Sequence, residues 1–230
     1  MKTKAMRAAV VDTLPVMTGY LFLGFGFGIL MYQNGYGLVW SAAMSLFIYA
    51  GSLQYVTVSL LAGGASLLTV AMTSLLVNAR HLFYGISMVE AYKGTGKKKP
   101  YLIFALTDET YSLVSAAQVP DGVSRQHYWL FVSLFDHIYW VGGTVLGALA
   151  GSVLPINLEG IEFVLTALFV TIFVEQWLST KDHRPALIGA ASTLLCLILF
   201  GKDLFLVPSM VIIAATMPML KKTRRREHHG

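Results

Sequence analysis

The stretch Leu75–Gly85, LLVNARHLFYG, sets Asn78, Arg80 and His81 inside a run that is otherwise apolar from Ala65 to Val89. An arginine in such a run has to be accounted for before any fold is drawn. One reading makes the polar cluster the joint of a discontinuous helix or a re-entrant hairpin, with two arms each too short to span a bilayer. Irregular backbone at membrane depth survives only where protein or a water-filled cavity surrounds it, and transporters place substrate sites at such joints. The other reading puts Arg80 near an interface, snorkelling outward. The residues alone leave both open.

The surrounding composition is that of a membrane protein. Of 230 residues, 56% are hydrophobic and only 13% charged, and the mean hydropathy is +0.65. A soluble chain of this length needs far more charge to cover its surface. Apolar runs at about 13–32, 38–62, 65–90, 101–118, 128–153, 161–178, 186–200 and 204–219 are of the length a helix needs to cross a hydrocarbon core of ~30 Å. The expected fold is an all-α polytopic membrane protein with about 7–8 hydrophobic segments in a single transmembrane domain, 1–230. Continuous runs exclude a β-barrel, whose strands alternate. The first run is too long for a cleavable signal and no small-residue cleavage site follows it. The lone Cys196 rules out an internal disulfide.

Basic residues cluster beside the spans, so the net charge of +5 reflects orientation rather than a nucleic-acid partner. Lys2, Lys4 and Arg7 precede the first run, "KGTGKKK" follows the third and "KKTRRR" comes near the end of the chain. Residues 154–160 carry no lysine or arginine. The positive-inside rule puts the basic stretches in the cytoplasm. Three simple crossings before "KGTGKKK" would leave it outside, so either a segment is broken, re-entrant or doubled, or the rule fails once.

The chain also matches itself. Shifted by 122 residues, 46–89 gives nine identities, among them Gln54 with Gln176 and Ser87-Met88-Val89 with Ser209-Met210-Val211. A shift of 124 pairs Asp12 with Asp136 and Gly19 with Gly143. Shared leucines in two apolar stretches are the plainer explanation. The sharper one is an internal repeat, with halves 12–92 and 136–219 joined by a connector containing 101–118. The repeat would set NARH, 78–81, opposite FGKD, 200–203, and so expects a second break there.

Other polar residues sit where burial is costly. Asp108 and Glu109 fall at the centre of 101–118. An aspartate at a helix centre costs ~2.5–3.5 kcal/mol on insertion, against ~0.3–0.6 returned by each large apolar residue. The two acids therefore need a cation, a proton or water, and Arg80 and His81 are the nearest cations in sequence. Asp136 and His137 open another apolar run, and Asp136, Trp140 and Gly143 share one helical face. Gly24 and Gly28 in "GFGFG" form a small-xxx-small pair, which favours helix packing over a phosphate loop. Glu175-Gln176 reads as the interfacial end of a span. No metalloprotease, serine-hydrolase or nucleotide-binding motif occurs, so no cofactor or metal is expected. An intramembrane acid–base pair of His81 and Asp108 is the surviving enzymatic alternative.

Five stretches carry a resemblance: PVMTGYLFLGFGFG (15–28), YAGSLQ (49–54), NARHLFYG (78–85), TDETY (107–111) and FDHIYWVGGTVLG (135–147). In this order they resemble AzlC-type proteins, the large subunits of two-component branched-chain amino acid exporters. The resemblance implies a multi-pass protein of the cell inner membrane, not an enzyme, that exports leucine, isoleucine, valine or analogues with a small AzlD-type membrane subunit. A zwitterionic substrate needs a cation or free amides, an acid and an apolar pocket. Candidates for binding it are Gln54, Asn78, Arg80, His81, Tyr84 and Trp140, with Phe83 as a further apolar wall. Asp108, Glu109 and Asp136 are candidates for the ammonium or for a coupled proton. Transport or conduction of another small solute is the alternative.

Overall fold

A computed structural model describes residues 2–116, 119, 122–154, 170, 173–174, 177–178, 182–205, 208–209, 211–213 and 215–216. Among the described residues every regular element is a helix. The chain divides into two units, Met1–Leu165 and Thr166–Gly230.

The first unit is built on two long helices, α1 (Lys2–Gln33) and the helix Arg125–Val153. Between them the chain forms α2 (Leu38–Phe47), α3 (Gly51–Ala62), α4 (Leu67–Val77), α5 (Arg80–Met88), a 3₁₀ turn (Gly96–Lys98), α6 (Lys99–Phe104) and α7 (Asp108–Ala116), which makes Arg125–Val153 α8. At ~1.5 Å per residue, α1 and α8 each exceed ~40 Å and so outreach a hydrocarbon core of ~30 Å. None of α2 to α7 is longer than 12 residues, about 18 Å.

α1 and α8 lie side by side and run in the same direction. Near their starts the Tyr128 hydroxyl donates to Asp12 Oδ2 at 2.6 Å. Further along, Gly24 meets the backbone of Trp140 and Thr144, and Gly28 that of Thr144 and Ala148. The approach is too close for any side chain: a Cβ on Gly28 would overlap the Thr144 carbonyl oxygen, and one on Gly147 the Phe25 oxygen. The packing expected of Gly24 and Gly28 is therefore real, and α8 answers it with Gly143 and Gly147. In lipid, where apolar burial drives little helix association, such contact is what holds helices together.

With α1 and α8 as a ruler, the short helices can be placed by depth. Ser45 on α2 bonds Thr144 on α8 at 2.8 Å. Tyr49, just beyond α2, lies against His137, about two turns earlier on α8. α3 then climbs back: Gly51 sits under the Trp140 ring, the Tyr55 hydroxyl donates to the Leu23 carbonyl at 2.6 Å, and Val58 packs with Phe27 and Met31. α2 and α3 are thus a re-entrant hairpin with its tip at Ile48–Ala50. α6 and α7 make a second, entering from the other end. Lys98 Nζ lies 3.4 Å from His127 Nε2, Thr107 at the tip reaches Tyr20, and Val114 on the way back joins Ala5, Ala9 and Tyr128. α4 and α5 carry the chain from one end to the other, with a turn at Asn78–Ala79.

This path accounts for the charge pattern. Lys2, the basic loop before α6 and the start of α8 share one end: Gln126 Nε2 donates to the Gly94 carbonyl at 3.0 Å, and both Lys2 and Lys98 act electrostatically on His127. Residues 34–37 and 63–66 fall at the opposite end. Runs 38–62, 65–90 and 101–118, read from sequence as whole segments, are each two helices. The acids of 101–118 are consequently not mid-helix but in the first turn of α7, where the helix dipole favours them.

In the second unit, α9 (Arg184–Leu204) starts with Pro185 in its first turn, and Asp182 Oδ1 accepts the Arg184 amide at 3.1 Å. Gly201, at φ 72°, leaves helical geometry, within the stretch where the second break was expected. Among the described residues three helices, Lys2–Gln33, Arg125–Val153 and Arg184–Gly201, are long and apolar enough to cross a membrane. The chain is an all-α polytopic membrane protein. Glu175, Gln176, residues 155–160 and "KKTRRR" lie outside the described residues, as do the side chains of Arg80, Phe83, Lys202 and Asp203.

Candidate functional site

Three interruptions, Ile48–Ala50, Asn78–Ala79 and Ala105–Thr107, converge halfway along α1 and α8. Tyr49 marks the first. Its φ of 46° is left-handed, a conformation that costs a non-glycine residue roughly 1–2 kcal/mol and tends to persist where function demands it. The Tyr49 and His137 rings lie 4.2 Å apart, and Phe104 from the other hairpin packs on both, at 6.2 and 5.8 Å. The two hairpin tips thus meet on α8.

Beside this contact lies a cavity of about 910 Å³. Tyr49 and Ala50, Asn78, Ala79 and His81, and Phe104 bring all three interruptions to its wall, and Leu75, Ile86 and Ile103 make most of the rest apolar. The Asn78 carbonyl accepts the His81 amide at 2.9 Å and sits 3.2 Å from His81 Nδ1. α3 and α5 both begin here without a side-chain cap, and the His81 and Leu82 amides of α5 close instead on the Asn78 and Ala79 carbonyls, at 2.9 and 3.2 Å.

A second feature is a buried polar chain linking α7, α1 and α8. The Tyr20 hydroxyl lies 2.7 Å from Glu109 Oε2 and 2.6 Å from Thr107 Oγ1. Thr107 Oγ1 lies 3.1 Å from Thr110 Oγ1, which donates to Asp136 Oδ2 at 2.7 Å. Thr107 also caps α7, its Oγ1 accepting the Thr110 amide at 3.2 Å. Asp136 is fully buried. Its Oδ1 has no partner among the described residues.

A third network braces the α2–α3 hairpin. Trp140 Nε1 donates to Gln54 Oε1 at 2.9 Å, and Gln54 Nε2 donates to Ser45 Oγ at 3.0 Å.

The residues singled out in the sequence thus fall into groups. Asn78 and His81 line the cavity. Glu109 and Asp136 are joined by hydroxyls, and Asp108 shares the first turn of α7 with Glu109. Asp136, Trp140 and Gly143 form one buried face of α8, as expected. Gln54 and Trp140 bond each other, with the Gln54 amide engaged at both ends. Tyr84 stacks on Tyr111 at 4.5 Å and is not on the cavity wall. Arg80 begins α5. Sequence reading missed Tyr20, Thr107 and Thr110 as links of the polar chain, and Tyr49 and His137 as the contact at the hairpin tip. The spacing of Thr107 and Thr110 around the acids is a capping signal that would have found the start of α7. Tyr20 and Tyr49 carry no such mark, being aromatic residues in apolar runs.

Comparison with known proteins completes the picture. No solved structure matches. The family described as AzlC protein matches residues 15–154, which span α1 to α8. The chain is 44% identical over 218 residues, 95% of its own length and 86% of the relative's, to the "Branched-chain amino acid transport protein AzlC" of Bacillus subtilis (strain 168). It is 42% identical to an "Uncharacterized membrane protein" of Haemophilus influenzae, covering 94% of this chain and 89% of that one. It is 30% identical to the "Inner membrane protein YgaZ" of Escherichia coli (strain K12), covering 87% and 82%. On the family match and this identity across nearly its whole length, the chain belongs to the AzlC family.

Proposed function

We propose that the protein exports branched-chain amino acids across the cell inner membrane, driven by the proton gradient and assisted by a small AzlD-type membrane subunit. The observation that carries this reading is the meeting of three helix interruptions at one largely apolar cavity, half-way along two membrane-crossing helices. Broken helices at the bilayer midplane, with half-helix ends facing the cavity, are how many secondary transporters build their sites. The name of the Bacillus subtilis relative supports the substrate class, and that of the Escherichia coli relative supports the membrane.

The residues suit a zwitterion with an aliphatic side chain. Arg80, at the start of α5 where the helix dipole favours anions, meets the carboxylate. Leu75, Ile86, Ile103 and Phe104 receive the side chain. An acid among Asp108, Glu109 and Asp136 meets the ammonium and exchanges a proton. Two carboxylates in a low-dielectric interior resist being ionised together, which ties substrate release to protonation. Gln54 and Trp140 brace the α2–α3 hairpin, and Tyr84 supports α5 through Tyr111. The alignment of Ala79 with Gly201 in the 122-residue shift supports duplicated halves, 12–92 and 136–219.

Deletion of the gene for this chain tests the reading in cells. Loss of resistance to toxic leucine analogues, with unchanged sensitivity to organic acids, is the expected result. Unchanged resistance to every such analogue, or a new sensitivity to organic acids alone, would favour a different small solute.

A further inference from the structure

The polar chain between Glu109 and Asp136 has more hydrogen-bond contacts than its hydroxyls have protons. It comprises four oxygen–oxygen contacts: Glu109 with Tyr20, Tyr20 with Thr107, Thr107 with Thr110, and Thr110 with Asp136, at 2.7, 2.6, 3.1 and 2.7 Å. Each hydroxyl has one hydrogen to donate, so Tyr20, Thr107 and Thr110 supply three. With both acids ionised one contact is always left without a hydrogen: the 2.6 Å pair of Tyr20 and Thr107, or, if Thr107 turns its hydrogen to Tyr20, the 3.1 Å pair of Thr107 and Thr110. One additional proton, on either carboxyl group, removes the conflict and lets all four contacts be hydrogen bonds.

We propose that Glu109 and Asp136 share a single proton through the relay Tyr20–Thr107–Thr110, and that this relay is the path by which a coupled proton crosses between α7 and α8. With the proton on Glu109, the chain donates in one direction, Glu109 to Tyr20 to Thr107 to Thr110 to Asp136, and Asp136 carries the charge. Passing it along breaks the O–H bonds of Glu109, Tyr20, Thr107 and Thr110 and forms those of Tyr20, Thr107, Thr110 and Asp136. Every hydroxyl ends as it began, with its donation reversed, and the charge has moved to Glu109. No other reactant is needed. The pair titrates as a unit rather than as two independent acids.

The other ionisable groups around the relay come from every neighbouring helix. They are Asp12 on α1, Tyr49 at the α2–α3 tip, His81 on α5, Tyr101 on α6, Asp108 on α7, and Tyr128 and His137 on α8. Asp12 is held by Tyr128, and Tyr101 lies 3.2 Å from His137. None of these provides a link between Glu109 and Asp136 in the four contacts above. The role of the relay in coupling rests on the export reading; the shared proton does not.

Infrared difference spectra of the full chain in lipid nanodiscs measure the proton directly. The relevant signal is the carboxylic-acid C=O band present in the natural protein and absent from the double variant Glu109→Gln, Asp136→Asn. Either single substitution is expected to remove all of it, because the new amide donates into the relay and leaves the remaining carboxyl ionised. Each single variant removing only its own part would show two independent acids. One single variant removing all and the other none would show a proton fixed on one acid. No loss in the double variant would show none at all. Any of these three results overturns the proposal.

Thr110→Val, or Tyr20→Phe if the valine variant does not assemble, cuts the relay without removing an acid. Proton-driven efflux is expected to fall at least ten-fold while amino acid exchange continues, and Thr110→Ser is expected to restore efflux. Unchanged proton-driven efflux in both cut variants overturns the coupling path. If the band behaves as expected while the natural protein moves no branched-chain amino acid, the shared proton stands and the export reading fails.

Discussion

The ring of Tyr49 lies 4.2 Å from the imidazole of His137, centroid to centroid, and this contact pins the tip of one re-entrant hairpin to the middle of α8. Tyr49 is also the one non-glycine residue with positive φ among the described residues. Its hydroxyl makes no close hydrogen bond among them and reaches only loosely toward that of Tyr20. The ring rather than the hydroxyl is therefore what holds the tip. Tyr49→Phe is expected to change stability by less than about 0.5 kcal/mol, since removing an unsatisfied polar atom is close to neutral. Tyr49→Ala loses a buried ring, about 3–5 kcal/mol for an aromatic in a packed site, and with it most transport. Thermal unfolding in detergent, with an efflux assay on the same samples, checks both.

The α1–α8 contact gives a sharper contrast. Gly28→Ala or Gly147→Ala forces a methyl group into opposing backbone, and overpacking of this kind costs about 1–3 kcal/mol or more. Gly19 has nothing within 4 Å of where its Cβ would stand, and Gly19→Ala is expected to be neutral or slightly stabilising. Equal melting temperatures for the three variants would mean that α1 and α8 do not touch as described.

Much of this arrangement was legible in the sequence, and the reasons for the remainder are physical. NARH offered its interruption as one of two readings, because arginine, histidine and asparagine are expensive in an apolar run. FGKD did the same for Gly201. The small-xxx-small spacing of Gly24 and Gly28 announced a helix contact, and the misfit between charge pattern and simple crossings called for a broken, re-entrant or doubled segment, or for one failure of the charge rule. The break at Ile48–Ala50 left no such trace. Its residues are apolar, and the strain sits in the backbone of Tyr49, where composition does not register it. The acids of 107–111 were visible, but their placement at a helix start depended on the α6–α7 turn, which the hydropathy of 101–118 conceals. The hydroxyl chain from Tyr20 to Thr110 joins residues far apart in sequence through tertiary contact alone.

Hairpins entering from opposite ends make a definite topology. Residues 34–37 and 63–66 share one end of the helices and residues 93–99 the other, which we propose faces the cytoplasm on the strength of its basic residues. In a Cys196→Ala background, Asn34→Cys and Ala65→Cys are expected to react with an impermeant thiol reagent in intact cells, and Lys98→Cys only after the membrane is opened. Labelling of positions 34 and 65 from different sides would show that α2–α3 crosses instead of returning.

Arg80 opens α5 between Ala79 and His81, which are both on the cavity wall. Arginine makes a planar, two-pronged contact with a carboxylate that lysine does not reproduce. Arg80→Lys is therefore expected to insert and assemble normally yet lose most transport, with a raised KM for the amino acid. Near-normal transport by this variant would assign Arg80 to an interfacial, snorkelling role.

The central claim concerns what moves through the cavity, and counterflow in proteoliposomes measures it most directly. The full chain would be reconstituted with and without the small membrane subunit, loaded with unlabelled leucine, isoleucine or valine, and exposed to the labelled amino acid. Uptake of label that depends on the internal amino acid and on the small subunit, and accelerates when a proton gradient is imposed, is the expected result. Absence of counterflow for all three amino acids in the two-subunit vesicles would contradict the proposed function.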